Sequence, residues 1–395
     1  MSFRSFGTDP VSGVDHVDME PSSRKKDSPR LLQQWPVSRS GAWCPEPRFV
    51  RQPLGTWQKG VRSEGVRRLT AKTILLTGAT GFVGRHAAIA LEAAGYAVRA
   101  TSRTPALARS RYPNVHFVHC DIGSPASVRT AMEGTHAAIY LYHGLGTGSD
   151  YPEREASAAR AFLCAANEAR LERILYLGGV APHGPRSKHL ESRLTTGRVL
   201  REGPTKTLEL AAAMIIGHQS QSFTLVRDVV LRSPVLSLPS WLDHESCPVA
   251  ICDVAAALAV GLRIPLETSA VLQLPGPETL SHRALIELLC AAFGTRLLDA
   301  RLAHIGPELA AVGLAFLSRV DAKVSHELVA GLNAELVPEG RSFWSELSQP
   351  TLRSVREAMA DAFADEAAAQ SPSVETSRRI RDKTLDWLER LGVEP

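Results

Sequence analysis

Three glycines at a spacing of three residues follow an apolar segment, residues 73–77, which reads Thr-Ile-Leu-Leu-Thr. When such a run joins a strand to a helix, the first glycine permits a sharp turn, and the second lets backbone N–H groups approach a pyrophosphate. The third allows close packing of helix on strand, and the helix N-terminus attracts the phosphates. We therefore predict a pyridine dinucleotide site here, with a purely structural turn as the alternative. The predicted cofactor contacts are Gly78, Thr80, Gly81, Phe82, Val83 and Gly84.

A basic residue follows the second predicted strand, residues 97–102. In many dinucleotide-binding folds an acidic residue at this place grips the ribose 2′-hydroxyl, whereas an arginine can pair with a 2′-phosphate. Arg103 stands at this place. The sequence therefore favours NADP(H) over NAD(H), the alternative being that Arg103 is simply solvated.

Two further strand ends carry side chains that can contact the same cofactor. Asp121 and Ile122 follow the third predicted strand, residues 115–119. The carboxylate can accept a hydrogen bond from the adenine amino group while Ile122 packs on the ring, although Asp121 can equally cap the next helix. Tyr142 and His143 end the fourth predicted strand and reach the same edge of the sheet. We expect them to contact the ribose or nicotinamide side of the cofactor.

The elements that must position these residues alternate in type from Lys72 onward. Short apolar runs alternate with Ala-rich amphipathic stretches, which is typical of a parallel sheet covered by helices on both faces. We predict an α/β fold, a Rossmann-type doubly wound parallel sheet. Strands are predicted at 73–77, 97–102, 115–119, 137–142, 173–177 and near 207–210, with helices at 82–94, 126–133 and 153–169.

Beyond about residue 205, frequent prolines cut the chain into short elements, which predicts a small substrate lobe. Helices are expected at 254–261 with Asp253 as N-cap, at 282–293 between Ser281 and Gly294, and at 352–369 and 375–391. The substrate is expected between the carboxyl edge of the sheet and a lobe built from residues 211–250 and 263–330. Trp241 and Phe223 are candidates for lining that pocket, burial alone being the alternative.

We divide the chain into a disordered basic N-terminal extension (1–70), a Rossmann domain with the interleaved lobe (71–295) and a mostly helical C-terminal extension (296–395). Residues 1–70 contain twelve Lys and Arg residues against seven Asp and Glu, which accounts for the net charge of +4. The remaining chain is nearly neutral, so a nucleic-acid partner is not expected.

The cysteines and the apolar runs indicate an ordinary cytoplasmic protein. Six scattered cysteines lack metal-ligand spacing, so we expect reduced thiols and no metal. The longest apolar run, residues 305–317, is interrupted by Glu308 and is shorter than the roughly 20 residues a membrane span needs. A buried helix and peripheral membrane attachment both remain open for it.

With these residues in hand, the chain resembles the short-chain dehydrogenase/reductase superfamily. Within it, the closest likeness is to the atypical, extended NAD(P)H-binding members related to nucleoside-diphosphate-sugar epimerases. The resemblance runs from about Lys72 to Phe293 and more loosely to about Phe363. It rests on the glycine run together with Cys120-Asp121, residues 153–156, 173–179, 189–193, 209–210, 215–217, 248–254 and 274–278.

The resemblance implies a catalytic Ser, Tyr and Lys, in which the tyrosine exchanges a proton as hydride moves. Here His189 and Arg193 occupy the expected Tyr and Lys positions, and the strand that should lead to the serine ends in Gly178-Gly179. A histidine can act as acid or base near neutral pH, and Arg193 can bind ribose hydroxyls or an anionic substrate. The alternative is that both are solvated on an exposed helix face.

The leading hypothesis is an NAD(P)H-dependent oxidoreductase with non-standard catalytic residues and a small-molecule substrate, acting as a monomer or homodimer. The second hypothesis is a cofactor-binding protein without turnover, a redox-sensing regulator or an assembly factor, because the usual Tyr and Lys are absent. A nucleotide-sugar epimerase is a third hypothesis, weakened because epimerisation by this fold also relies on that tyrosine.

Overall fold

The computed structural model describes residues 71–145, 147–184, 186–233, 235–236, 238–297 and 318–369. The expectations for residues 1–70, 305–317 and 375–391 lie outside this part of the chain. Within it, no helix is long and apolar enough to cross a membrane.

The described residues form thirteen strands and ten α-helices, with short 3-10 helices at Ser240–Asp243 and Phe343–Glu346. The strands are β1 (Thr73–Leu76), β2 (Ala97–Ser102), β3 (Phe117–His119), β4 (Ala137–Tyr140), β5 (Ile174–Gly179), β6 (Thr207–Ala212), β7 (Ile215–Ile216), β8 (Val235–Leu236), β9 (Glu245–Ser246), β10 (Val249–Ala250), β11 (Ala270–Gln273), β12 (Leu280–Ser281) and β13 (Arg296–Leu297). The helices are α1 (Phe82–Ala93), α2 (Pro105–Arg111), α3 (Pro125–Met132), α4 (Tyr151–Glu168), α5 (Lys188–Arg201), α6 (Gln221–Arg232), α7 (Ile251–Gly261), α8 (His282–Phe293), α9 (Ala322–Leu332) and α10 (Val355–Ala368).

One seven-stranded sheet organises the fold. Its strand order is β3-β2-β1-β4-β5-β6-β11, and every pair is parallel. In the central strand, Ile74 pairs with Val98 of β2 on one side and with Ala137 of β4 on the other. The chain thus winds from β1 to one edge and returns to wind toward the other, as a Rossmann fold does. The predicted fold class is confirmed.

The two faces of the sheet build two separate apolar cores. Ile74 and Leu76 pack on one side, where Leu91 of α1 and Leu258 of α7 cover them. Leu75 points to the other side, among the residues of the core covered by α3, α4 and α5. Successive side chains of a strand alternate between faces, so a strand that is apolar throughout must be covered twice.

Helix boundaries follow from local capping groups. The Ser281 hydroxyl accepts a hydrogen bond from the backbone of Ala284, and Gly294 ends α8 in the left-handed conformation with φ of +68°. Both were predicted from the sequence. Helix α10 begins with a capping box in which Ser354 and Glu357 bond each other's backbone N–H groups.

The cap predicted for Asp253 is wrong. Helix α7 begins three residues after Pro248, at Ile251, with Ala250 as its N-cap. Asp253 is buried in the first turn, where it accepts the backbone N–H of Arg353 at 2.9 Å.

Residues late in the chain take part in the same core as the sheet. Phe343 is fully buried in the core that contains Ile74, and the Trp344 indole donates to the Pro275 carbonyl at 2.6 Å. The backbone of Gln273, at the end of the edge strand β11, donates to Arg341.

A buried cluster of charges joins α6 to α10. Asp228 and Arg227 are almost fully buried and bond each other at 2.7 Å. Arg227 also reaches Glu366 of α10 at 2.5 Å, and Arg319 binds the other oxygen of Asp228 at 3.0 Å. Burial raises the pKa of Asp228, and the neighbouring arginines oppose that rise. Each charge is acceptable in this apolar setting only because its partners are present.

Asp228→Asn should therefore lower the free energy of unfolding by about 3–5 kcal/mol, since it leaves buried arginines without their anion. Urea unfolding followed by circular dichroism measures the change. The matched control is Glu172→Gln, which removes an exposed ion pair with Lys72 at 2.8 Å and should cost about 0–1 kcal/mol. Equal losses in the two variants would contradict the role assigned to the buried cluster.

Candidate functional site

The glycine run forms the tight turn between β1 and α1. Gly78 has a φ of +64°, and a Cβ there would lie 2.8 Å from the carbonyl oxygen of Leu141. A Cβ on Gly84 would overlap the carbonyl of Gly78, so α1 packs directly on the turn. Gly81 is exposed and its N–H bonds the Gly78 carbonyl at 2.9 Å. The first turn of α1 contains no acidic residue and no side-chain cap, so no carboxylate competes with a bound anion for its N–H groups.

The residues predicted to hold the adenosine part lie along the same edge. Arg103 is exposed directly after β2, and Asp121 is exposed after β3. Asp121 accepts the N–H of Gly123 at 3.1 Å, whereas Ser124 caps the following helix α3. The helix-cap alternative for Asp121 is thus excluded, and its second carboxylate oxygen is left for other partners. Ile122 is half-buried against the core beside it.

The Tyr142 hydroxyl feels the charges of both Arg103 and Asp121. Burial raises the pKa of its hydroxyl, Arg154 and Arg103 lower it, and Glu155 and Asp121 raise it. Charges act on a group in this way only over short distances. Arg103 and Asp121 therefore lie near Tyr142, and their contact with a cofactor stays a prediction.

A cleft lies at the carboxyl ends of the central strands, next to the glycine run. It is open to solvent, holds about 1060 Å³ of empty space, and includes Phe82 from the start of α1. Parallel sheets bind ligands at this edge, where the strand order reverses. Its other walls come from the end of β5, from α5, from the segment after β6 and from α9, including Gly178, Gly179, Leu190, Met214, Leu328 and Leu332.

Besides Phe82, the structure brings three of the predicted residues into this cleft: His143, His189 and Arg193. His143 follows β4 and is exposed at the mouth, while the other two are half-buried on α5. The Arg193 guanidinium donates to the Leu177 carbonyl and lies 5.5 Å from the centre of the Tyr176 ring. The helix face is therefore part of a pocket wall, so the alternative of a freely solvated His189 and Arg193 is not what the structure shows.

His189 is a neutral imidazole at physiological pH. Burial, the charge of Arg193 and the neighbouring His143 together lower its pKa to about 3, with burial the largest cause. Its Nδ1 is shielded from solvent and bonds no described group. A neutral ring can donate one hydrogen bond and accept one, but it holds no imidazolium proton to give away. The acid/base role of His189 stays a prediction. Its low pKa limits that role to what a neutral imidazole can do.

The buried tyrosines near the cleft are packing residues. The Tyr176 hydroxyl donates to the backbone carbonyl of Arg193 at 3.0 Å, and Tyr140 is fully buried beside it. Burial raises the pKa of both hydroxyls. Phe223 is buried against Phe363, and Trp241 packs beside Leu225 and Val329. Burial thus accounts for Phe223 and Trp241, and neither is among the described residues that line the cleft.

Sequence reasoning missed the part played by Glu155. This carboxylate is 2% exposed and accepts hydrogen bonds from the Gly144 backbone and from the Ser192 hydroxyl. It therefore ties the loop of His143 to the helix of His189. The available signal was a charged residue within the apolar stripe of α4, beside Ala156 and Ala159.

His282 was missed as well, because in the sequence it is only the first residue of a helix. It lines the cleft from α8, on the lobe side. Its side chain is 3% exposed. Nothing in the sequence around it distinguishes a cleft-lining histidine from a surface one.

Comparisons with known proteins agree with this geometry. Residues 78–233 match the family model described as NAD(P)H-binding. That segment begins at the first glycine and ends after α6, so it spans both the predicted cofactor residues and α5. No curated protein matches the chain.

Solved structures share the fold at low sequence identity. The triphenylmethane reductase of Citrobacter sp., complexed with NADP(H), superposes with a TM-score of 0.59 at 17% identity, over 73% of this chain and 99% of the other. A nucleoside-diphosphate-sugar epimerase from Pseudomonas aeruginosa gives 0.57 at 18% identity, over 76% and 99%. One from Staphylococcus aureus gives 0.57 at 17%, over 74% and 100%. At such identities the likeness shows the fold alone, and that fold is the one the sequence resemblance implies.

Gly81 and Gly84 should respond differently to alanine. Gly84→Ala places a methyl group in the Gly78 carbonyl and should destabilise the fold by about 1–3 kcal/mol. Gly81→Ala meets only the Gly78 oxygen, at 3.1 Å, so the fold should persist while NADPH binds more weakly, because the methyl group lies where the pyrophosphate approaches. Melting temperature and NADPH titration separate the two effects. Unchanged NADPH affinity in folded Gly81→Ala would contradict the site.

Proposed function

We propose that this NAD(P)H-binding protein of the short-chain dehydrogenase/reductase kind is an NADP(H)-dependent oxidoreductase that reduces a carbonyl compound in the cleft. The observation that carries the proposal is the shared cleft: the start of the glycine-run helix and the His189 face of α5 line the same space. A binding protein without turnover would need the dinucleotide site but not a second, adjoining pocket. When bound, the cofactor supplies the hydride.

The residues fit such a cofactor. The first turn of α1 and Gly81 would hold the pyrophosphate, and Arg103 would pair with a 2′-phosphate. Asp121 and Ile122 would receive the adenine, and Tyr142 and His143 continue the edge toward the cleft. The preference for NADP(H) rests on Arg103, since no acidic residue ends β2.

His189 acts as a neutral hydrogen-bond donor. Its ring polarises the carbonyl oxygen of the substrate, and negative charge developing on that oxygen strengthens the bond. Because a neutral ring is a poor proton source, water in the open cleft delivers the proton that completes the alcohol. Arg193 adds a positive charge beside the ring, and Glu155 positions both the helix and the loop of His143.

A second candidate is cofactor binding without turnover, as in a redox-sensing regulator or an assembly factor. The low pKa of His189, at about 3, favours it, because the chain then lacks a group that exchanges protons easily near pH 7. Turnover measurements decide between the two. A nucleotide-sugar epimerase is disfavoured, since the position of its proton-transferring tyrosine carries His189.

The purified protein should oxidise NADPH in the presence of aldehydes, ketones, enones or quinones. His189→Ala should reduce kcat by about a hundredfold and leave the Kd for NADPH unchanged. Because the pKa of His189 lies far below neutrality, kcat should show no histidine inflection between about pH 5 and 8. Absorbance at the NADPH band follows the reaction.

The exposed His116 provides the matched control, and His116→Ala should behave like the parent. If no carbonyl is reduced while NADPH still binds, the non-catalytic candidate is correct. A protein that binds no dinucleotide would contradict both candidates.

Arg103→Ala should weaken NADPH binding about tenfold to a hundredfold, because it removes a charge-assisted hydrogen bond to the 2′-phosphate. NADH lacks that phosphate, so its binding should not change. Fluorescence titration with both cofactors measures this. Arg111→Ala, an exposed arginine at the end of α2, is the control and should alter neither affinity. If Arg103→Ala weakens both cofactors equally, the 2′-phosphate is not its partner.

A further inference from the structure

The charged groups of the cleft are already engaged. Among the described residues that line it, Arg193 and Glu327 are the charged ones. Arg193 bonds the Leu177 carbonyl and covers the Tyr176 ring, and Glu327 accepts the backbone N–H of His189 at 3.1 Å. The two charges are opposite in sign, so an anionic substrate finds no net positive potential and must displace existing bonds.

Most of the remaining wall is hydrocarbon, contributed by several elements. Leu177 lies on β5 and Leu190 on α5, Met214 follows β6, and Leu328 and Leu332 lie on α9. The three serines among the described residues of the wall are also occupied, since Ser187 and Ser220 cap α5 and α6 and the Ser222 hydroxyl bonds that of Ser220 at 3.3 Å. Apolar walls with few polar groups are typical of sites for uncharged small molecules.

His282 is a polar residue of the wall whose two ring nitrogens both lack a partner among the described residues. Its side chain is buried, and neither ring nitrogen bonds a described residue. Burial, aided by nearby His244, lowers its pKa to about 4, so the ring is neutral with one donor and one acceptor nitrogen. Buried polar atoms without partners are rare in native proteins and are costly to the fold.

The nitrogens of His282 are shielded from solvent although the residue lines the cleft. A ligand can therefore reach them only if the side chain rotates toward the empty space. Such a rotation exchanges two unpaired nitrogens for a hydrogen bond, which favours it whenever a polar ligand group is near.

We propose that the cleft binds an uncharged, largely apolar carbonyl compound with a second polar group, and that His282 binds this second group. The inference rests on the proposed function, because His189 takes the carbonyl that is reduced. It adds the substrate class and a residue that determines specificity. The two histidines line the cleft from different helices, α5 and α8, so a ligand that binds both needs two separate polar groups.

Two probes that differ by one hydroxyl test the proposal. They are a cyclohexanone carrying a para-hydroxyphenyl group and its phenyl analogue. Calorimetric titration into the full chain saturated with NADP⁺ should show that the parent prefers the hydroxylated probe by about tenfold. His282→Leu should abolish that preference without changing the Kd for NADPH, and His282→Gln, which keeps a donor and an acceptor, should retain part of it.

His244→Gln is the matched control. His244 adjoins His282 and has an unbonded Nδ1 of its own, but it is not among the described residues that line the cleft; this variant should keep the parent's preference. Apo His282→Leu should melt at or above the parent temperature, because it removes unpaired buried nitrogens. A marked loss of stability there would assign His282 a structural role and overturn the inference.

Equal affinity of the parent for both probes, or binding of neither, also overturns the inference. Selective binding of the hydroxylated probe without its reduction by NADPH would support the site and count against the proposed turnover. Reduction of both probes with equal KM would support the proposed turnover and contradict the His282 site.

Discussion

Direct packing of α1 on the carbonyl of Gly78 is the contact on which the cofactor side of the molecule depends. With no side chain at Gly84, the helix starts immediately above the turn that ends β1. Because β1 lies between β2 and β4, the helix N-terminus is held at the point where the strand order reverses. The N-terminus of α1 and the cleft are neighbours for this reason. The later strands add side chains to the same carboxyl edge of the sheet.

A buried carboxylate performs the corresponding task on the substrate side. Glu155 holds the loop after β4 and the helix after β5 through two hydrogen bonds. Those two segments carry His143 and His189. The hydrogen bonds of Glu155 therefore help to fix the positions of the two histidines relative to each other. Charge in this region is balanced locally, which leaves the cleft itself apolar and its imidazoles neutral.

The repeating local pattern made the sheet predictable. Short apolar runs and their spacing predicted six of the seven strands of the sheet, β1 to β6, and Ser281 and Gly294 bound α8 by local chemistry. Asp253 shows the limit, because its partner is the backbone of Arg353, a hundred residues later. His282 shows it again: a histidine becomes a cleft residue only when a distant lobe folds over the sheet, and no local pattern encodes that contact.

The buried ion pairs between α6 and α10 also govern the order of events during synthesis. The chain leaves the ribosome from its N-terminus, so β1 to β6 can pair while residues beyond Arg319 are still enclosed. Until then Arg227 and Asp228 lack two of the partners that make their burial acceptable. The nascent protein can therefore pair β1 to β6 early, whereas the buried charge cluster, like the part of the core that contains Phe343, is complete only after residues far along the chain have emerged.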